Sequence, residues 1–331
     1  MHETLVPPDS LRGYRQSQID EFRTAYDVVQ QLNASGYAVR CLGLGDNLAE
    51  LTATVKDWRP HVAFNLAEEF QDVPSYDQHV VSLLELLRQP YTGCNPRGLL
   101  LSRDKALAKQ ILTFHGIATP SFAVFGKGRR VALPAGLRFP LFVKSVTDDA
   151  SFGIAQASVV TDLNKLKQRV AFIHEQTGAA ALVEEFIAGR ELYVSVIGNE
   201  RLTTYPIWEM EFGTANQHGA AIATRNAKWD RNYRSKHGIG SHAARLPTAL
   251  AARIEKLVER VYRALSLTGY ARIDLRLNAA GEVYVLEANA NPCLTAHEDF
   301  ARSAAAAGDD YAGLLNRIIG LGKRYRAAWK S

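Results

Sequence analysis

The sequence predicts an α/β protein in which a parallel sheet with helices on both faces is followed by two mixed α+β units. Three observations predict this architecture. Helical and strand-like stretches alternate through the first hundred residues, strand-rich segments dominate the middle of the chain, and a hairpin with one polar face lies near its end. A chain of 331 residues is long enough for two or three compact units, because single cores rarely grow beyond about 250–300 residues. We expect these units at 1–101, 102–190 and 191–331.

In the N-terminal unit, strand-like and helical segments alternate, which is typical of a βαβ arrangement. The predicted helices are Ile19–Asn33, Leu48–Trp58 and Tyr76–Leu87, and the predicted strands are Tyr37–Leu44, His61–Leu66 and Pro90–Thr92. Such a unit normally begins with an apolar strand of about five residues, whereas only Met1–Val6 precedes the first proline pair. Either the sheet lacks its usual first strand or the natural start lies upstream of Met1, and we favour the upstream start.

The rest of the chain alternates strand-rich segments with single helices. We expect a helix over Ser102–His115 with Ser102 as its N-cap, because a serine side chain accepts hydrogen bonds from the first free amides of a helix. Strands are predicted at Ser121–Phe125, Leu141–Ser145, Gln156–Val160 and Ala181–Phe186, and again from Leu192. Further helices are predicted at Leu163–His174, Leu250–Leu265 and Tyr311–Leu321. The segment Phe212–His242, rich in glycine, asparagine and charge, predicts a long loop.

The composition is that of a globular protein, with 47% hydrophobic and 22% charged residues. The apolar runs are too short to span a membrane, and the N-terminus does not resemble a signal peptide. Cys41, Cys94 and Cys293 are odd in number and without CxxC spacing, so we expect reduced thiols and a cytoplasmic protein. The net charge of +5 suits a nucleic-acid binder or an enzyme for a polyanionic nucleotide. No stacking aromatic motif favours the first.

Ala271–Leu277 and Val283–Ala288 are short alternating strands separated by a five-residue turn, which predicts a hairpin. Symmetric pairing sets residues whose numbers sum to 561 opposite one another, so Asp274 faces Glu287. Alternation then places six residues on a mostly polar face: Arg272, Asp274, Arg276, Val285, Glu287 and Asn289. The opposite, apolar face is expected in the core and contains Ile273, Leu275, Leu277, Tyr284, Leu286 and Ala288.

Two carboxylates directly opposite each other across a strand pair repel unless a cation or a shared proton lies between them. Mg²⁺ is held in proteins by a few carboxylates together with substrate phosphates, so we predict that Asp274 and Glu287 bind this metal. Asn289 can add a neutral oxygen ligand, and Arg272 on the same face can balance phosphate charge. The alternative is a surface hairpin whose acids are solvated or pair with Arg272 and Arg276.

The segments Gly269–Leu275 and Val285–Pro292 resemble the metal-binding end of ATP-grasp enzymes, in particular the D-alanine–D-alanine ligase branch. The spacing of thirteen residues between Asp274 and Glu287 and the Glu-Ala-Asn triplet match that branch. The resemblance implies the ATP-grasp fold, with ATP and two Mg²⁺ ions between the central and C-terminal units. It also implies a reaction in which a carboxylate attacks the γ-phosphate of ATP and an amine captures the resulting acyl phosphate.

The same resemblance implies the nucleotide contacts. The implied ATP-binding residues are Lys105, Lys144, Ser151, Gly153, Glu184, Glu185, Phe186, Ile187, Glu191 and Leu286. The two lysines reach the phosphates, and Glu191 accepts the ribose hydroxyls. Arg272 and Lys228 are the implied catalytic cations, and Lys228 lies in the long predicted loop. Leu286 is implied here by the resemblance, although strand alternation places it on the apolar face.

Substrate contacts are expected from Glu68, Glu69, Trp229, Cys293 and Glu298. Two positions depart from the family pattern. Ala150 stands where the ligases have a serine near the substrate amine, and Glu298 stands where a serine binds the substrate carboxylate. An acid at position 298 repels a carboxylate and favours an ammonium group. We therefore expect a ligase for an amino acid or a small peptide that is not the cell-wall D-alanine enzyme.

Three other functions stay open at this point: an ATP-grasp kinase, an ATP-binding protein without turnover, and a basic nucleic-acid binder. If the protein is a ligase, we expect it to bind small amino-acid or peptide substrates and neither nucleic acid nor a membrane. A homodimer is compatible with the resemblance.

Overall fold

The computed structural model describes residues 1–147, 153–218 and 220–330. The α-helices are α1 Gln16–Ala34, α2 Ala49–Trp58, α3 Asp77–Leu86, α4 Pro96–Arg103, α5 Lys105–Phe114, α6 Leu163–Thr177, α7 Arg225–Trp229, α8 Arg231–His237, α9 Thr248–Ala264, α10 Asp299–Ala306 and α11 Tyr311–Arg324. The strands are β1 Phe122–Phe125, β2 Leu141–Ser145, β3 Val159–Val160, β4 Ala181–Glu185, β5 Arg190–Gly198, β6 Leu202–Thr204, β7 Trp208–Glu211, β8 Gly240–Ala243, β9 Tyr270–Leu277 and β10 Val283–Asn289. In the described ranges, none of the helices combines the length and apolar character that a bilayer crossing requires.

The N-terminal unit has the three predicted helices, but its predicted strands do not form a continuous sheet in the described residues. Pairing in this part of the described chain consists of single bridges, parallel between His2 and Leu44 and between Ala63 and Tyr91, and antiparallel between Phe70 and Val73. The prediction of full strands at these segments was wrong. A proline lacks the backbone N–H that a ladder needs, and Pro90 directly precedes the bridge at Tyr91.

The helix predicted over Ser102–His115 is α5, which begins later than predicted, at Lys105, because Ser102 and Arg103 belong to the end of α4. Asp104, not Ser102, caps α5, because its Oδ1 accepts from the amides of Ala106 and Leu107, both at 2.9 Å. Helix α4 precedes it and was not predicted, although Asn95 followed by proline is a typical start signal. The Asn95 side chain indeed accepts from the amide of Gly98 at 2.9 Å.

A four-stranded antiparallel sheet forms the central unit, in the order β1-β4-β2-β3. Its core joins the strands to α6 through residues such as Val143, Leu166, Val170 and Val183. Strand β3 is shorter than predicted, because 156–158 forms a 3-10 turn in place of extended chain.

A larger antiparallel sheet forms the C-terminal unit, in the order β10-β9-β5-β7-β8, with β6 paired to β5. Helix α9 covers one face and buries Ile254 and Val258 against strand residues such as Leu192 and Ile273. The segment predicted as one long loop, Phe212–His242, contains α7, α8 and the start of β8, so that prediction was wrong. Both helices have side-chain caps: the Thr224 hydroxyl accepts from the amide of Ala227, and the Asp230 carboxylate accepts from the amide of Tyr233.

The β9–β10 hairpin has the predicted register at one end only. Asp274 is paired with Glu287, as predicted. The predicted pairing of Arg276 with Val285 is wrong, because the register shifts by one residue between Val285 and Glu287 and Arg276 lies opposite Tyr284. A β-bulge of this kind inserts one unpaired residue and changes which side chains face inward. Here it turns Val285 into the core and leaves Leu286 facing a pocket.

Candidate functional site

A pocket of about 740 Å³ lies between the two sheets. We call it the first pocket. Its walls come from α5, β2, β4, the turn after β4, β5, β9 and β10, and it is lined by Lys105, Phe142, Lys144, Ser145, Ile154, Glu184, Glu185, Phe186, Ile187, Glu191, Ile222, Ala223, Lys228, Asp274, Arg276, Leu286 and Glu287. Residues that the sequence separates by more than 180 positions therefore meet in one cleft. This set contains most of the residues predicted to contact the nucleotide.

Buried ion pairs form the base of the first pocket. Glu184 on β4 lies 2.8 Å from Lys144 Nζ on β2 and 2.9 Å from Lys109 Nζ on α5. Burial opposes ionisation of Glu184, but the two lysines outweigh it and lower its pKa. Burial lowers the pKa of Lys109 to about 8, against the opposing effect of Glu184. Glu184 thus holds two cations at the pocket base, in addition to its predicted place near the nucleotide.

Lys109 was missed by the sequence analysis. It lies one helical turn after Lys105, so both side chains leave the same face of α5. That spacing was visible, but a single lysine in a helix is usually solvated, whereas Lys109 is fully enclosed. Lys105 is also buried and lies at the start of the helix, where its Nζ is 3.8 Å from Glu287 Oε2.

Glu191 lies in the first pocket with both carboxylate oxygens engaged. Arg276 Nη2 donates to Oε2 at 2.7 Å, and the Tyr193 hydroxyl donates to Oε1 at 2.8 Å. Arg276 Nη1 also donates to the carbonyl of Gly189 at 2.9 Å. Burial, and then the charge of Glu191, raise the pKa of Tyr193 well above its usual range, so the phenol stays protonated. The predicted ribose acceptor is therefore held rigidly by two neighbours.

The turn after β4 supplies the apolar part of the first pocket. Phe186 and Ile187 both line it, and the Arg276 guanidinium lies 6.0 Å from the centroid of the Phe186 ring. Gly189 closes this turn against the backbone of Leu277. A side chain at position 189 would collide with the Leu277 carbonyl, so only glycine allows the close approach.

Asp274 and Glu287 face each other across the hairpin, and cations hold both. Arg272 donates to the two oxygens of Asp274 at 2.7 and 2.9 Å, and Lys228 Nζ lies 3.9 Å from Asp274 Oδ2. Arg272 thus pairs with Asp274, as the alternative to metal binding supposed. Arg276 does not pair with Glu287 as that alternative also supposed, because it binds Glu191.

The charge states of the two acids differ. Burial raises the pKa of Asp274, and Arg272 and Lys228 oppose that rise. Burial acts in the same direction on Glu287, but the surrounding lysines and Arg272 outweigh it and lower its pKa to about 2. At neutral pH, Glu287 is therefore a fixed negative charge among cations.

The donor set at this place fits Mg²⁺. Two carboxylates are directly opposed, and the amide oxygen of Asn289 lies on the same edge, where it accepts from the amide of Asn291 at 2.8 Å. Within the described residues, no group of three or more His, Cys, Asp or Glu side chains could hold a metal on its own. Asp274, Glu287 and Asn289 could hold the ion only together with phosphate oxygens, which is the usual manner of Mg²⁺ binding.

The predicted phosphate lid falls mostly outside the described residues. Ser151 and Ala150 are among those left out, whereas Gly153 is described. Gly153 has a positive φ of 68°, and its carbonyl accepts a hydrogen bond from Arg169. Gly153 is thus anchored on helix α6 next to Ile154, which lines the first pocket.

The two chain segments that contribute Ile154, Ile222 and Ala223 to the first pocket contact each other. The Gln156 side chain exchanges hydrogen bonds with the backbone of Ala220, both at 3.0 Å. The amide of Arg225 donates to the carbonyl of Ile154 at 3.3 Å. We call these contacts the clasp. It links the central unit to the segment that leads into α7, which carries Lys228.

A second pocket, of about 990 Å³, adjoins the first. It is lined by Glu68, Arg103, Tyr193, Met210, Ala227, Lys228, Trp229, Arg234, Gly240, Ser241, Arg272, Glu287, Asn289, Asn291, Cys293, Glu298, Asp299 and Phe300. Lys228 and Glu287 belong to both pockets, so the end of the first pocket that carries these two residues opens toward the second. Its lining mixes acids, arginines and large apolar side chains.

Four of the five predicted substrate residues line the second pocket: Glu68, Trp229, Cys293 and Glu298. Glu69 is not among the described residues that line either pocket. Glu298 has Arg234 as a distant partner, with 4.0 Å between Nη1 and Oε1. Burial, and then the neighbouring Asp299, raise the pKa of Glu298.

Cys293 is a poor nucleophile in this place. Its thiol donates to the Thr295 hydroxyl at 3.1 Å, and burial raises its pKa. A thiol that stays protonated attacks weakly. Cys293 therefore contributes to the wall of the second pocket and not to nucleophilic chemistry.

Comparison with known proteins identifies the family. Residues 111–320 match the family model described as the D-ala D-ala ligase C-terminus. An uncharacterized protein of Sinorhizobium fredii is 34% identical over 263 residues, which cover 80% of this chain and 75% of that protein. A D-alanine–D-alanine ligase of Bordetella petrii is 33% identical over 238 residues, covering 71% of this chain and 69% of that protein.

Solved structures show the same fold. The D-alanine–D-alanine ligase of Bacillus anthracis superposes with a TM-score of 0.74 at 25% identity and covers 94% of this chain and 95% of its own. The VanG D-Ala:D-Ser ligase of Enterococcus faecalis gives a TM-score of 0.72 at 20% identity, covering 93% of this chain and 96% of its own. The predicted family resemblance is thus confirmed: the chain belongs to the D-alanine–D-alanine ligase family and is an ATP-dependent ligase with the ATP-grasp fold.

Proposed function

We propose that the protein is an ATP-dependent carboxylate–amine ligase that joins amino-acid or small-peptide substrates other than two D-alanines. The observation that carries this proposal is the junction of the two pockets at Lys228 and Glu287. A carboxylate seated in the second pocket at this junction lies next to the phosphate end of the first pocket. The family relationship supports the class of reaction, and the lining of the second pocket supports the choice of substrate.

The first pocket would receive ATP with its phosphates toward the cations. Lys105, Lys144 and Lys228 line it, and Arg272 lies just beyond, on the side of the second pocket. Phosphoryl transfer needs positioned positive charge more than a nucleophilic side chain, because negative charge spreads over the transferred oxygens. Bound Mg²⁺, held by Asp274, Glu287 and Asn289, would supply further neutralisation of the phosphate charge.

The second pocket would hold the carboxylate substrate and the amine acceptor. Trp229, Met210 and Phe300 give it apolar surface, which a methyl side chain does not need. Glu298 gives it an acid that, among the described residues, has an ion-pair partner only at 4.0 Å, in Arg234, and such an acid favours an ammonium group over a carboxylate. We infer that the acceptor presents a cationic group toward Glu298 and an apolar body toward Trp229.

The test is phosphate release from ATP across a panel of amino acids and dipeptides, with mass analysis of the products. We expect an amide product with one or more members of the panel, and loss of roughly 10²–10³-fold in turnover for Glu287→Ala. Glu282→Ala, in the exposed turn of the same hairpin, is the matched control and should keep full activity.

Three outcomes would contradict the proposal. A stable phosphorylated substrate without an amide would identify a kinase. Efficient formation of D-alanyl-D-alanine as the preferred product would refute the choice of substrate while leaving the ligase class intact. Full activity in Glu287→Ala would refute the role of the hairpin carboxylates.

A further inference from the structure

Tyr193 lies in the wall between the two pockets. It belongs to β5, and its side chain is 3% exposed. Glu191, two residues earlier on the same face of the strand, lines the first pocket, whereas Tyr193 lines the second. On the neighbouring strand β9, Asp274 is the direct partner of Tyr193. One side chain therefore adjoins the nucleotide side, the acceptor side and the hairpin carboxylates.

The hydroxyl of Tyr193 contacts Glu191, which lines the first pocket, and lies 3.2 Å from Met210 Sδ, which lines the second. It donates to Glu191 Oε1 at 2.8 Å, while Arg276 binds the other oxygen of that carboxylate at 2.7 Å. A carboxylate with a donor on each oxygen has one orientation. Removing the hydroxyl would leave Glu191 held on one side only.

The ring of Tyr193 faces the cations at the junction. The Arg272 guanidinium carbon lies 4.8 Å and Lys228 Nζ 5.7 Å from the ring centroid. Both distances are within the range in which an aromatic face attracts a cation. These are the same two cations that approach Asp274, so the ring and the carboxylate hold them from two directions.

We propose that Tyr193 is a positioning residue that couples the two pockets: its hydroxyl orients Glu191 for the nucleotide, and its ring holds Arg272 and Lys228 at the junction. This rests on the proposed function, since the junction is where the acyl phosphate would form. The two halves of the side chain therefore serve different steps. The hydroxyl serves nucleotide binding, and the ring serves turnover.

Two substitutions separate these halves. Tyr193→Phe keeps the ring and removes the hydroxyl, so we expect ATP to bind about tenfold more weakly, with kcat within about twofold of the wild type. Tyr193→Leu removes both, so we expect the same loss of ATP affinity and in addition a roughly tenfold lower kcat. ATP affinity is measured by isothermal titration calorimetry and kcat by product formation, below the unfolding temperature of each variant.

Tyr205→Phe is the matched control. Tyr205 is also buried, and its hydroxyl donates to the Asp309 carboxylate at 2.6 Å, but it lines neither pocket. This variant should lose thermal stability to a similar extent as Tyr193→Phe, with ATP affinity and kcat unchanged. It therefore separates positioning from a general effect on the fold.

Two results would overturn the inference: wild-type ATP affinity in Tyr193→Phe, or equal kcat values in Tyr193→Phe and Tyr193→Leu. Should no amine in the panel be ligated, the proposed function fails separately. The ATP affinities of the three variants would then still decide whether Tyr193 positions the nucleotide pocket.

Discussion

In the first pocket, charged groups meet at short distances: Glu184 lies 2.8 Å from Lys144, and Glu191 lies 2.7 Å from Arg276. In the second pocket, Glu298 and Arg234 are 4.0 Å apart, and the neighbouring Trp229 side chain is 51% exposed. Glu184 and Glu191 of the first pocket are thus held in tight pairs, whereas Glu298 and Trp229 of the second leave charge and aromatic surface open to a substrate.

The elements that carry these residues explain the difference. The first pocket takes most of its charged groups from β-strands and from α5, whose positions are determined by the packed sheets. The second takes Trp229, Arg234 and Glu298 from two short helices and from the residue that precedes α10. Strands hold side chains more rigidly than helix ends and loops do. The proposed nucleotide contacts therefore lie mostly on strands and α5, and the proposed acceptor contacts lie mostly on short helices and a helix start.

The largest expected effect is on stability and ATP binding, and it follows from removing the carboxylate at the base of the first pocket. Glu184→Ala leaves Lys109 and Lys144 buried without the carboxylate that pairs with both. Removal of one partner from a buried ion pair typically costs about 3–5 kcal/mol, so we expect a loss of unfolding free energy of that size in urea denaturation, together with loss of ATP binding. Glu185→Ala, at the next and less buried position, should cost under about 1 kcal/mol.

The stability that Glu184 contributes is expected to depend on pH. The folded-state pKa of Glu184 lies below its ordinary value of 4.5 because its two lysines outweigh the effect of burial. The stabilisation from Glu184 is therefore present above pH 4.5 and is lost as the pH falls through the folded-state pKa. The stability gap between wild type and Glu184→Ala should shrink in acid. A gap that stays constant down to pH 3 would argue against a charge effect.

An intermediate effect is expected in the second pocket. Glu298→Ser removes the acid that faces the acceptor, so KM for the preferred amine should rise roughly tenfold, while the affinity for ATP stays the same. Initial rates with varied amine and fixed ATP measure this. Glu200→Ser, at an exposed position outside both pockets, is the control. An unchanged order of amine preference would show that Glu298 does not select the acceptor.

The smallest effect concerns the apolar wall of the first pocket. Leu286→Ala should raise KM for ATP about threefold to fivefold with little change in stability, because the bulge directs this side chain into the pocket. Its neighbour Val285 is buried in the core, so Val285→Ala should instead cost about 2 kcal/mol of stability and leave KM for ATP unchanged. The reverse pattern would mean that the strand has no bulge.

Sequence reasoning succeeded where local chemistry and topology agree. The hairpin strands and the opposition of Asp274 and Glu287 follow from alternation and a short turn, and both are present. The bulge was missed because alternation assumes one residue per step and cannot register an extra one. For Leu286, alternation predicted the core face and the family resemblance predicted the nucleotide site. In the structure its side chain lines the first pocket.

Other misses have similar physical causes. Lys109 looked like an ordinary helical lysine because its partner, Glu184, is 75 residues away in the sequence. Helices α7 and α8 are too short for a periodic pattern, and only their caps, Thr224 and Asp230, marked them. The N-terminal strands were predicted from apolar content, and apolar content does not determine whether neighbouring segments form continuous backbone hydrogen bonds.

Hydrogen exchange at the clasp can report separation of the two chain segments that it joins. The amide hydrogens of Ala220 and Arg225 are donated to the opposite side of the cleft, to Gln156 and Ile154. They can exchange with solvent deuterium only when the two sides separate. Their exchange rates would therefore measure how often the cleft opens for nucleotide, and how far a bound ligand slows that opening, without any change to the chain.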